Sequence, residues 1–120
     1  MIFRLDDGSG YFVTVQYDRD PAGNPCRATR VAVYALEAFE AHGRKIRRLM
    51  TEATPLAVGK SKCHNSDQFR KRDGLIQAAK RAFRTLKFGF RWDPKLHSYC
   101  LFRQEEGVVS ASNNYIPVKE

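Results

Sequence analysis

A chain of 120 residues and 13.8 kDa has room for one compact domain with a modest core and too little for two well-packed ones. Hydrophobic residues make up 42% and charged residues 28%, which separates the chain from disordered and fibrous classes, and no apolar run approaches the roughly 20 residues that span a bilayer. Lys and Arg outnumber Asp and Glu by 21 to 13, a net charge of +8, so the first expectation is an acidic partner.

The opening residues MIFRLDDGSG lack the succession of basic, apolar and small residues that marks a signal peptide, and Gly8-Ser9-Gly10 reads as a turn. Tyr11 to Tyr17 is rich in aromatic and β-branched residues and predicts a strand, with Tyr11, Val13, Val15 and Tyr17 on one face and Phe12, Thr14 and Gln16 on the other. The turn-rich stretch from Asp18 to Pro25 predicts a loop. After it, residues 29–36 read as a strand, while Ala35 to Ala41 has helix-favouring composition that periodicity alone does not settle. His42-Gly43 reads as a turn into a strand over 44–50, with Pro55 at a break and a further strand over 56–62.

The clearest element is a helix from about Ser66 to Lys87, because Asn65 and Ser66 are good N-caps and Asp67 complements the helix N-terminus. Phe69, Ile76, Ala79, Phe83 and Leu86 share one face, with Leu75 and Ala82 at its margin, and that face is expected to cover a sheet. The opposite side carries Arg70, Gln77, Arg81 and Arg84, flanked by Lys71 and Lys80. Gly74 weakens the helix by roughly 1 kcal/mol relative to Ala and would permit close packing or a slight bend. Residues 88–94 read as an aromatic connector and 97–103 as a strand that closes the core. One α+β domain is expected over 1–104, with 105–120 a thinly patterned C-terminal extension that is mobile at its end.

The charge is concentrated in the middle of the chain: residues 42–87 hold 13 Lys and Arg against three acids, a net of +10. Phosphate binding needs several long cationic side chains on one surface. A basic strand carrying Arg44, Lys45, Arg47 and Arg48, with Lys60 and Lys62 and the helix residues Arg70, Lys71, Lys80, Arg81 and Arg84, would supply them. A charged helix face is often no more than a solvated one, and seven basic residues against two acidic ones in 66–87 set contact with nucleic acid or another polyanion level with that reading.

Three further constellations each have a plainer reading. Phe88, Phe90 and Trp92 interleave with Lys87 and Arg91 as a base-stacking platform would, but core packing is the better reading of rings in a connector. Cys63, His64, His97 and Cys100 would make a zinc site only if two segment ends met, and there is no Cys-x-x-Cys; no cofactor is expected. Cys63 ahead of a helix N-terminus, beside His64, is the one nucleophile arrangement worth naming, and without any recognised catalytic motif an enzyme is not expected. Three widely spaced cysteines, Cys26, Cys63 and Cys100, read as free thiols in a reducing compartment, so a cytoplasmic protein is expected.

The run Cys63-His64-Asn65-Ser66-Asp67-Gln68-Phe69, followed by Arg70-Lys71-Arg72-Asp73-Gly74 and Ala78-Ala79-Lys80-Arg81-Ala82, resembles a pattern in small phage and prophage proteins: a strand, a Cys-(His/Ser)-x-x-Asp-x-Phe helix entry, a Gly and an Ala-x-x-Arg-Ala run. The likeness covers about 25 residues, and Leu75 stands where a basic residue is commoner. It implies a mobile-element origin and a strand-to-helix junction, and assigns no active site.

Together these readings predict an antiparallel sheet of three to five strands with one long amphipathic basic helix packed on it, in the order β-β-β-α-β. The expected function is a small phage-type nucleic-acid-binding protein that contacts phosphates through the basic helix face and the basic strand. The alternative is a phage accessory protein, such as an anti-CRISPR or host-takeover factor, that inhibits a host protein through the same surface. No membrane partner is expected, and a homodimer would follow if an apolar sheet face stayed uncovered.

Overall fold

The computed structural model describes residues 1–19, 21–22, 25–62 and 71–112, with backbone alone over 25–27. The chain has a mixed α+β fold in which antiparallel strands are covered by helices. Strands β1 (Ile2–Arg4), β2 (Gly10–Arg19), β3 (Pro25–Ala35) and β4 (Ala57–Lys62) form a four-stranded sheet in that order. Helices α1 (Leu36–Ala41) and α2 (Ile46–Glu52) lie between β3 and β4, and α3 (Lys71–Arg84) follows β4. Strands β5 (Gly89–Asp93), β6 (Ser98–Arg103) and β7 (Gly107–Ala111) form a second, three-stranded sheet.

Two sheets and three helices thus replace the single sheet and single helix expected from the sequence. The predicted strand over 44–50 is helix α2, because Ile46, Leu49, Met50 and Ala53 recur at helical spacing and together meet the core. Gly43 (φ 69°) and Arg44 (φ 58°) turn the chain between α1 and α2 in the left-handed region. The aromatic connector is strand β5, since Phe90 and Trp92 alternate with Gly89 and Arg91 and pair with β6. Residues 107–111, too thinly patterned to read as a strand, add β7 to the other edge of β6. The predicted caps Asn65 and Ser66, and Phe69, lie outside the described residues.

The alternation read in β2 holds, and both of its faces are covered in part. Val13, Val31, Val33 and Ala57 point toward α3, while Phe12, Ala32 and Tyr34 point toward α1 and α2, where Phe12 stacks on Phe39 at 3.7 Å between ring centroids. Phe83 joins the two sheets: its ring lies about 6 Å from those of Phe3, Tyr11 and Phe90, drawn from β1, β2 and β5. The buried seam of α3 is Leu75, Ala78, Ala79, Ala82 and Phe83, richer in alanine than the predicted face, with Ile76 and Leu86 half-buried at its margin.

Small residues are needed there because α3 approaches β4 closely. A Cβ placed on Gly59 would lie 1.9 Å from the Ala78 carbonyl oxygen and 2.5 Å from the Ala82 nitrogen. Ser61 Oγ donates to the Gly74 carbonyl oxygen at 2.8 Å, which anchors the same strand to α3 one turn earlier. The chain leaves α3 through a turn over residues 85–87, where the φ of 65° at Lys87 lets the Phe88 amide donate back to the Phe83 carbonyl at 3.0 Å.

Gly59→Ala is expected to lower the free energy of unfolding by about 3 kcal/mol, since both obstructing atoms are backbone and cannot swing aside, and denaturant titration reads the loss. A second expectation concerns pH. The Met1 amino group donates to the Val13 carbonyl at 3.0 Å, and its burial lowers its pKa from 8.0 to about 6. The unfolded chain therefore binds this proton more tightly, so this group's contribution to stability is full above pH 8 and falls by roughly 2 kcal/mol as pH drops to about 6. Acetylation of the amine should abolish that part of the pH dependence of the urea midpoint.

Candidate functional site

The sequence-predicted basic residues do not form one surface; the four-stranded sheet divides them. Arg44, Lys45, Arg47 and Arg48 belong to the α1–α2 hairpin on one face of the sheet, and Lys71, Lys80, Arg81 and Arg84 to α3 on the other. Arg70 lies outside the described residues.

In the hairpin, two of the four cations are matched by acids. Arg44 pairs with Glu40 at 3.3 Å and Arg48 with Glu52 at 3.0 Å, each one helical turn apart. His42 Nε2 lies 3.5 Å from the same Glu52 carboxylate, while its Nδ1 lies 2.6 Å from the Ala38 carbonyl oxygen. Lys45, Arg47, Arg48, Thr51 and Glu52 line a shallow hollow of about 560 Å³. The pairing with Glu40 and Glu52 reduces the charge this group can offer a ligand.

A denser cluster forms where β3, β4 and α3 meet. Strand register aligns Gln16, Arg30 and Lys60 across β2, β3 and β4, and sets Lys62 opposite Ala28 in the next row on the same face. The helices α1 and α2 cover the Phe12, Ala32 and Tyr34 end of that face and leave these rows open, with Lys60 and Lys62 exposed. Arg30 Nη1 donates to Gln16 Oε1 at 3.3 Å, which orients the guanidinium along the sheet. From the far side, Arg81 reaches around the edge strand and donates to the Lys60 carbonyl oxygen. The close packing at Gly59 is what brings α3 near enough for that contact.

Arg30, Lys60, Lys62 and Arg81 border a cavity of about 400 Å³ whose one acidic member is Asp18 among the described residues. Thr29 and Ser61 also line it, although alternation turns their side chains toward α3, where Ser61 bonds Gly74 and Thr29 Oγ1 is buried without a partner among the described residues. Lys80 and Arg84 extend the exposed charge along α3, and neither they nor Lys60 and Lys62 form an ion pair with a described residue.

Other cations cover aromatic rings instead of facing a ligand. Lys71 sits 5.4 Å from the Tyr17 ring centroid, Arg72 4.5 Å from Trp92, Arg91 5.2 Å from Phe102 and Arg103 4.7 Å from Phe88. Phe88 and Phe90 are buried in the core, whereas Trp92 is half-buried, edge-on to Tyr99 and beneath Arg72, so the core reading holds for the two phenylalanines and not for Trp92.

Of the cysteine and histidine positions, Cys63 and His64 lie outside the described residues. His97 is exposed in a turn with φ of 48°, whereas Cys100 is wholly buried. Among the described residues no three metal-ligating side chains come together. Burial raises the Cys100 pKa, which disfavours its thiolate. Among the same residues, no helix is long and apolar enough to cross a membrane.

Sequence reasoning missed Arg30. Its signal is a cation in the otherwise apolar run Val31-Ala32-Val33, but only the register with Gln16 and Lys60 shows that it joins a site. Comparison with protein-family models, with curated proteins and with solved structures finds no match to this chain. Function is therefore to be read from the chemistry of the site.

In the folded protein Cys100 is expected to resist alkylation. Its reaction with a maleimide should be slow in buffer and fast in denaturant, read by mass spectrometry of the peptide that contains it; fast labelling in buffer would place the thiol outside the core.

Proposed function

We propose that this protein binds nucleic acid by neutralising backbone phosphates at the β4 edge, with little direct reading of bases. One observation carries this reading: Arg30, Lys60, Lys62 and Arg81, from three different elements, converge on one cavity with a single acidic neighbour among the described residues. Cations at a shared concave surface raise the local potential more than the same charges dispersed, and a polyphosphate backbone is the partner that such a surface fits. Two of the four, Arg30 and Arg81, are held by hydrogen bonds to Gln16 and to the Lys60 carbonyl, so little side-chain freedom remains to be lost on binding.

The hairpin cations take a lesser part in this reading, because Glu40 and Glu52 already pair with Arg44 and Arg48. In this reading Lys80 and Arg84 on α3 provide further phosphate contacts beside Arg81.

Binding of purified, nuclease-treated protein to short fluorescent oligonucleotides over a salt series tests the proposal. Affinity should fall steeply with salt, and Lys60→Glu with Lys62→Glu should weaken binding at least about 10-fold and lower the log–log salt slope by about 2, one for each phosphate contact removed. Both residues are exposed, so the urea midpoint of the double variant should stay near that of the parent. Absence of binding to DNA or RNA at low salt would overturn the proposal and point to the alternative, a protein partner captured by the same basic surface.

A further inference from the structure

We infer that the ligand of the β4-edge site is double-stranded nucleic acid, recognised through its backbone and independently of sequence. The inference rests on the phosphate-binding reading above and narrows its substrate class. The arrangement of cations supports it first. Lys60 and Lys62 stand two residues apart on one face of β4, about 7 Å by strand geometry, and Arg30 stands beside Lys60 on the neighbouring strand, about 5 Å away. The sheet ladder fixes the backbone spacing, so the site offers a regularly spaced row of cations along a strand edge. Such a row suits a stiff, regularly charged backbone better than a flexible one, which must lose conformational freedom to follow it.

The second support is where the aromatic rings lie. Single strands are held by stacking unpaired bases on exposed rings, with cations along the backbone in support. Here the described residues that line the cavity include no aromatic side chain. Phe83, Phe88 and Phe90 are buried, and the rings of Tyr17, Trp92 and Phe102 carry cations over them. A site made of charge alone favours the ligand of higher charge density. A duplex presents one phosphate per roughly 1.7 Å of axis, against roughly 3.4 Å for each of its strands.

Leu56 and Val58 continue the face of Lys60 and Lys62 toward the start of β4, and both are exposed. A protein ligand would use these apolar side chains, whereas a phosphate backbone has little to gain from them. Val58→Ser therefore separates the two kinds of partner.

The test is competition at one salt concentration, using a labelled duplex and unlabelled competitors of equal length: the same duplex, a duplex of scrambled sequence, and each separated strand. The expected result is that the two duplexes compete within about 3-fold of each other, that single strands compete at least about 10-fold less well, and that Val58→Ser leaves duplex affinity unchanged. Single strands that compete as well as the duplex, or a preference among strands by base composition, would overturn the inference while leaving the nucleic-acid reading intact. A Val58→Ser variant that loses duplex affinity while keeping its fold would also overturn backbone-only recognition. No binding by any oligonucleotide would remove the underlying reading itself.

Discussion

The close approach of α3 to β4 at Gly59 is the constraint on which the candidate site depends. With no side chain at Gly59, and only alanine at positions 78 and 82 of α3, the helix backbone settles almost directly on the strand. Larger residues at any of the three would hold the helix farther off, since close-packed interiors absorb added volume poorly. The approach fixes which α3 side chain overhangs the edge of the sheet. That side chain is Arg81, and its bond to the Lys60 carbonyl ties the helix to the strand that carries Lys60 and Lys62.

The same contact answers a structural problem. β4 is an edge strand, and exposed edges invite pairing with other chains. Lysines alternating on the strand and an arginine on one of its carbonyl oxygens are devices that discourage such pairing. The charge that protects the edge is also the charge that a phosphate backbone would meet, so one set of residues serves solubility and the proposed binding. Farther along the same face of the sheet, the hairpin α1–α2 pairs Arg44 and Arg48 with acids, so that part of its charge is local to the helices that bear it.

The second sheet completes the core from which this arrangement is held. Phe83 links α3 to β1, β2 and β5 through ring contacts, and the inward side of β5 and β6 supplies Phe90 and Leu101 to the same cluster. On the outward side of this sheet Arg91 covers the ring of Phe102 and shields aromatic surface that would otherwise be left against water.

Local pattern was legible wherever a single period dominated. The alternation from Tyr11 to Tyr17, the strand ahead of Lys62, the amphipathic character of α3 and the basic middle of the chain are all properties of neighbours in sequence, and the structure keeps them. Short elements were not legible: seven residues in α2 span two turns, and a basic run of that length reads equally as a strand until Leu49 is seen against Tyr34 and Phe39. The sequence by itself determined which residues are charged and which faces of β2 and α3 are apolar, because those follow from residue chemistry and backbone period. Only the tertiary structure decided that the cations divide between two sides of a sheet, and that Arg30, Lys60, Lys62 and Arg81 come together. Strand register and helix approach are set by contacts between residues far apart in the chain, which no local period encodes.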